Sequence, residues 1–176
     1  MGVLVGRPAP DFTVPAIMGD GTLVEEFSLA ERIQSRPALI FFYSLDFTSV
    51  CRLELIALNH RAEAFEQRGV EVICVSVDSH FSHNAWRNTP EEQGGIGPVA
   101  FIMASDLNHD IVRAFDVESP AGMAYPGAFL IDKTGLIRSQ VINDVALARN
   151  IDELLRLIDA LESQGTPGEV SPTGLA

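Results

Sequence analysis

Ala38-Leu39-Ile40-Phe41-Phe42-Tyr43-Ser44-Leu45-Asp46-Phe47-Thr48-Ser49-Val50-Cys51 runs from an unbroken apolar segment through a short polar stretch to a cysteine. Residues 38–43 lack the polar alternation of a half-exposed strand, so they predict a strand buried on both faces. Val70-Glu71-Val72-Ile73-Cys74-Val75-Ser76-Val77 predicts a second buried strand, rich in β-branched residues. Between the two, Val50, Leu53, Leu55, Ile56, Leu58, Ala62 and Phe65 recur at helical spacing, and Gly69 supplies a stop. Strand, helix and strand in this order make a right-handed parallel crossover.

Farther along, residues 128–132 and 136–141 flank Lys133-Thr134-Gly135, which predicts a hairpin with a short turn. A last helix is expected from Ile151 through Leu154, Leu155, Ile158 and Leu161, with Asn150 as its cap and Glu153 three residues on. Shorter helices are expected near 80–87 and 109–115. This order is that of an α/β, thioredoxin-like fold with a central mixed sheet flanked by helices. No repeat or linker divides residues 1–162, which read as one domain. Residues 163–176, with Gly165, Pro167, Gly168, Pro172 and Gly174, read as a mobile or docked arm.

The 176 residues carry a net charge of −12, which argues against partners that reward basic patches, namely nucleic acid and anionic membranes. No apolar run approaches the ~20 residues needed to span a bilayer. The N-terminus has no basic region followed by an apolar stretch, and Gly6 stands where a myristoylation motif needs Ser or Thr. Two cysteines, Cys51 and Cys74, make neither a disulfide framework nor a four-ligand zinc site. A cytoplasmic setting with reduced thiols is expected. His60, His80, His83 and His109 show no metal-ligand spacing, and a surface or interface role is expected for His80 and His83. Gly94-Gly95-Ile96-Gly97 lacks the Lys-Ser/Thr of a phosphate loop and reads as a flexible turn. No metal or cofactor is expected.

Cys51 is the candidate nucleophile. It falls past a strand in the first turn of a helix, where unpaired N–H groups and the helix dipole favour an anion, here the reactive thiolate. The bland alternative is a small buried hydrophobe, the reading preferred for Cys74 in mid-strand.

Read together, several motifs resemble the peroxiredoxins, in the branch of alkyl hydroperoxide reductase and the typical two-cysteine enzymes. They are Val5–Phe12, Phe42–Cys51, Val75–Trp86, the 94–97 segment, Phe129–Asp132, and Asn143-Asp144 leading to Arg149. The resemblance implies a peroxidase that reduces hydrogen peroxide or organic hydroperoxides, with Cys51 becoming a sulfenic acid. It implies that Thr48 helps hold sulfur and peroxide, and that Glu54 and Arg149 form a supporting charge pair. Taken alone, Thr48 is a helix cap and Glu54–Arg149 a surface pair.

Four positions depart from the family pattern. Ser44 and Arg52 replace prolines, Pro126 stands where the active-site arginine is expected, and Ser171 stands where the resolving cysteine is expected. Losing the arginine removes a charge-assisted hydrogen bond worth roughly 1.5–3 kcal/mol, about one to two orders of magnitude in rate. Arg52 either compensates from beside Cys51 or lies at a surface or interface. Without a resolving cysteine, either an external thiol reduces Cys51, as in a one-cysteine enzyme, or the oxidised state persists. The resemblance also implies a homodimer, often assembled as a ring of dimers, with subunit contacts near residues 46–50, Trp86 and the C-terminal arm. A chain ending at Ala176 is expected to resist overoxidation. The alternative is a weak or inactive oligomer acting as a chaperone-like scaffold or redox sensor.

Overall fold

A computed structural model describes residues 2–34 and 36–163. These contain β1 (Thr13–Ile17), β2 (Leu23–Ser28), α1 (Leu29–Arg32), β3 (Ala38–Phe42), α2 (Ser49–Asn59), α3 (Ala62–Gln67) and β4 (Glu71–Ser76). They continue with α4 (His80–Asn88), β5 (Ile102–Ser105), α5 (Asp110–Ala114), β6 (Gly127–Ile131), β7 (Ile137–Ile142) and α6 (Ile151–Ser163). The strands form one mixed sheet in the order β2-β1-β5-β4-β3-β6-β7. The expected α/β thioredoxin-like class is what the chain adopts. Of the expected arm at 163–176, only Ser163 is described, as the last residue of α6.

β3 is central, paired in parallel with β4 and antiparallel with β6, so that Phe41 faces Cys74 on one side and Ala128 on the other. Its side chains alternate between two cores, as the two-residue period of a strand requires. Leu39, Phe41 and Tyr43 pack with Leu55, Leu58, Trp86, Leu154 and Ile158 under α2, α4 and α6. Ala38, Ile40 and Phe42 pack with Ile111, Phe115 and Phe129 on the opposite face. Two buried faces and two paired edges explain why the run is apolar at every position.

The single helix expected across 50–65 is instead two. After Asn59 the backbone of Arg61 (φ −106°, ψ 4°) leaves helical geometry, and its amide bonds back to the Leu58 carbonyl at 3.0 Å. Asn59 turns its amide to residues 98–100, accepting from the Ala100 N–H at 2.9 Å and donating to the Pro98 carbonyl at 3.3 Å. Arg61 pairs with Asp152 on α6 at 3.1 Å. These lateral ties re-aim the chain so that α3 delivers Phe65 to the core. The expected hairpin is β6–β7. At α6, Asn150 Oδ1 accepts from the Glu153 N–H at 3.2 Å, so the anticipated cap forms.

Three strands escaped the sequence reading: the β1–β2 hairpin and β5. Pro15 interrupts the first and β5 has only four residues. What fixes them is tertiary. Buried Arg87 on α4 donates to the carbonyls of Gly19 in the β1–β2 turn (2.8 Å) and Val99 ahead of β5 (3.1 Å). Gly19 passes so close that a Cβ there would stand 2.1 Å from the Ala100 oxygen.

Leu55 is fully buried and Leu53 is 63% exposed, so the two report which side of α2 faces the sheet. Leu55→Ala is expected to lower unfolding free energy by about 2–5 kcal/mol in urea titration. Leu53→Ala is expected to stay within about 0.5 kcal/mol of the parent.

Candidate active site

The chain leaves β3 at Phe42, crosses a loop and enters α2 at Ser49. Thr48 occupies the N-cap position with extended backbone (φ −92°, ψ 145°), and its carbonyl accepts the Arg52 N–H at 2.9 Å. The amides of Ser49, Val50 and Cys51 therefore precede the first intrahelical bond and point toward the helix start. Cys51 lies among them and is 5% exposed. The Thr48 side chain does not cap the helix. Its hydroxyl donates to the Leu45 carbonyl at 2.8 Å, which leaves its lone pairs to accept a proton donor.

One turn along α2, Glu54 meets Arg149, 95 residues away in sequence. Arg149 Nε donates to Glu54 Oε1 and Nη2 to Oε2, both at 3.1 Å, and the Arg149 amide adds a 2.8 Å bond to Oε1. Nη1 donates at 2.6 Å to both the Phe42 and Gly127 carbonyls, at the end of β3 and the start of β6. The guanidinium lies 3.4 Å over the Phe41 ring. Both partners are buried, so this is no surface pair. Burial pulls the Arg149 pKa down and the Glu54 carboxylate opposes that fall; the Cys74 and Cys51 thiols are also near enough to act on the guanidinium. Four of the five side-chain donors are thus committed to protein acceptors, leaving one Nη2 hydrogen.

A second buried network holds the loop ahead of Cys51. Tyr43 Oη donates to Asp46 Oδ1 at 2.8 Å, and His83 Nδ1 lies 2.9 Å from Asp46 Oδ2 and 3.2 Å from the Tyr43 oxygen. His83 Nε2 reaches the Ala104 carbonyl at 3.3 Å. The Asp46 amide donates to Asp78 Oδ2 at 2.9 Å. Burial, reinforced by the Asp46 carboxylate, raises the Asp78 pKa. Between the fixed Asp46 and Thr48, Phe47 adopts a left-handed backbone (φ 56°), a conformation costing of order 1 kcal/mol for such a residue. This geometry sets its ring 5.8 Å from that of Trp86.

The structure thus brings Cys51, Thr48, Glu54 and Arg149 to the start of α2 and the ends of β3 and β6. Sequence reading missed Tyr43, Asp46 and His83 as a unit. His83 is fully buried, not a surface residue, and Trp86, near which a subunit contact was expected, is likewise fully buried within the chain. In the 46–50 segment, Phe47 and Val50 are the exposed apolar side chains. Cys74 is fully buried as expected, and burial pushes its thiol pKa well up. Ser44 donates to the Ala124 carbonyl at 3.2 Å, and Pro126 is buried with its carbonyl accepting the Asn143 N–H at 2.9 Å. Arg52 donates to the carbonyls of Gly95 and Glu91, so its guanidinium is committed to that segment and does not replace the missing arginine. The 94–97 turn that receives it is closely packed, for a Cβ on Gly95 would stand 1.8 Å from the Thr89 oxygen. Ser171 lies outside the described residues. Among those described, no cluster of His, Cys, Asp and Glu is placed to hold a metal ion, and no helix is long and apolar enough to cross a membrane.

Comparison with known proteins agrees with this geometry. A model of the AhpC/TSA family matches residues 5–140. Alkyl hydroperoxide reductase C of Helicobacter pylori (strain ATCC 700392 / 26695) is 46% identical over 172 residues, covering 98% of this chain and 87% of that protein. Peroxiredoxin-1 of Gallus gallus is 43% identical over 171 residues, covering 97% and 85%. The reduced 2-Cys peroxiredoxin of Plasmodium vivax superposes with a TM-score of 0.94 at 36% identity, covering 99% of this chain and 90% of that one. With its cysteine at the head of α2 and matches of this extent, the chain belongs to the AhpC/TSA family of peroxiredoxins.

Proposed function

We propose that the protein is a thiol-dependent peroxidase acting on hydrogen peroxide or organic hydroperoxides. The observation that carries this reading is Cys51 at the start of α2, with Thr48 ahead of it and the buried Glu54–Arg149 pair one turn below. The Cys51 thiolate attacks the terminal peroxide oxygen, an S–O bond forms as the O–O bond breaks, and the leaving alkoxide or hydroxide takes a proton. Cys51 is oxidised to the sulfenic acid and the peroxide is reduced to alcohol or water. The helix-start amides and the Arg149 charge favour the anion, and the Thr48 oxygen accepts from the peroxide O–H. An external thiol then displaces water to form a mixed disulfide, and a second thiol releases Cys51 as the free thiol, which is the one-cysteine cycle. This cycle calls for a reducing compartment, so a cytoplasmic setting is part of the proposal.

The second reading, a weakly catalytic oligomeric scaffold, draws on Pro126, which offers neither cation nor N–H. It also draws on Phe47, Val50 and Leu53, which expose an apolar patch suited to a second copy of the chain.

Stopped-flow peroxide consumption with a diketone sulfenic-acid trap separates the two readings. Peroxide loss and trap labelling are expected in the parent protein and absent in Cys51→Ser; equal consumption by both selects the scaffold. Pro126→Arg is expected to raise the peroxide rate constant about tenfold by restoring a charge-assisted bond. No gain means that the backbone has been rebuilt around the proline. Glu54→Gln leaves Arg149 charged and buried without its counter-ion, and is expected to cost about 3–5 kcal/mol in urea unfolding.

A further inference from the structure

We propose that Arg52 is a positioning residue that fastens the first turn of α2 shut and so limits how fast a bulky thiol reaches oxidised Cys51. The inference rests on the peroxidatic reading of Cys51. It concerns the reductive half of the cycle, which the geometry around the sulfur leaves obstructed.

Cys51 is 5% exposed. A peroxide is small enough to enter the folded turn, but a thiol carried on a macromolecule needs the turn to open before its sulfur can approach along the S–O axis of the sulfenic acid. That approach forms the S–S bond and expels the sulfenic oxygen as water; a second thiol completes the two-electron reduction. Little in the turn itself resists opening. Ser49, Val50 and Leu53 are exposed, and the Thr48–Arg52 backbone bond is the first of the helix.

Arg52 supplies the resistance. Its Nε donates to the Gly95 carbonyl at 2.9 Å and its Nη2 to the Glu91 carbonyl, and such bonds from an ionised donor are the stronger kind. The acceptor segment cannot follow the turn outward. Trp86, fully buried, holds it through Nε1 to the Gly94 carbonyl (3.1 Å) and through its own carbonyl to the Ile96 amide (3.3 Å). The Gly95 and Gly97 amides bond to the Pro90 and Thr89 carbonyls at 3.0 and 3.2 Å, and Gly95 is pressed against Thr89 too closely for any Cβ. Opening the Cys51 turn therefore breaks both Arg52 bonds. Because the guanidinium is engaged by the 91–95 carbonyls, its loss acts on access and leaves the peroxide step alone.

The test compares the parent chain with Arg52→Ala and Arg52→Lys, using Arg156→Ala, whose exposed side chain pairs only with Glu153 on its own helix, as a charge-matched surface control. Reduced Cys51 is labelled with iodoacetamide and with a bulky polyethylene-glycol maleimide, each rate read on the Cys51 peptide by mass spectrometry. Amide exchange over 49–54 is followed in parallel. In Arg52→Ala the bulky-reagent rate and the exchange are expected to rise about tenfold, and the iodoacetamide rate less than threefold. Reduction of the sulfenic acid by thioredoxin should rise like the bulky label, reduction by dithiothreitol should rise less, and the peroxide rate constant should stay within twofold. Arg52→Lys, with one compact cationic head, should fall between parent and Ala, and Arg156→Ala should match the parent. An unchanged ratio of bulky to small labelling overturns the proposal, as does an equal change in the peroxide and thioredoxin steps. If Cys51 ignores peroxide yet its bulky labelling still rises in Arg52→Ala, the peroxidase reading fails while the fastening stands.

Discussion

The ion pair between Glu54 and Arg149 is the constraint on which the site depends. One guanidinium joins α2, the segment ahead of α6, and the carbonyls of Phe42 and Gly127 on two neighbouring strands. A charge in that position is tolerated because it is matched: a carboxylate on one edge, two carbonyls on another and the Phe41 ring below. Stability alone does not call for the pair, since desolvation offsets much of the attraction between buried charges. On the peroxidase reading proposed above, the pair supplies a fixed cation beneath the helix start where a charge on sulfur forms.

The other arginine near Cys51 shows that proximity in sequence does not make an electrostatic partner. Arg52 is bonded to the cysteine through the backbone, yet successive side chains on a helix diverge by about a quarter turn or more. Its charge is spent on two carbonyls of the 91–95 segment. Arg149, far away along the chain, reaches the reactive end of the sheet instead. With Pro126 where a further cation is expected, the site draws its positive potential, among the described residues, from the Arg149 guanidinium and a helix terminus.

β3 was legible in the sequence because a strand covered on both faces has no choice but to be apolar throughout. The helix after it was legible from its spacing and the Gly69 stop, though not its break at Arg61, which depends on Asn59 and Arg61 finding partners across space. β1, β2 and β5 were illegible for a similar reason: their turn and register are held by Arg87, whose role is invisible until α4 lies against them. Cys51, Thr48, Glu54 and Arg149 were named through resemblance to a family, and spacing alone gave only the cysteine at a helix start. The Tyr43–Asp46–His83 network left no periodic signal, since its members sit on a strand end, a loop and a helix. Only the fold assembles them.

Trp86 is the chain's single tryptophan, buried between the rings of Tyr43 and Phe47, with its indole N–H held by the Gly94 carbonyl. Its fluorescence consequently comes from one dry, polar-bonded indole that touches the left-handed residue ahead of the reactive cysteine. Any rearrangement that swings Phe47 away admits water to one face of that indole and reddens its emission. The protein thus carries an intrinsic optical probe at the hinge of its own reactive loop, usable in real time without any label.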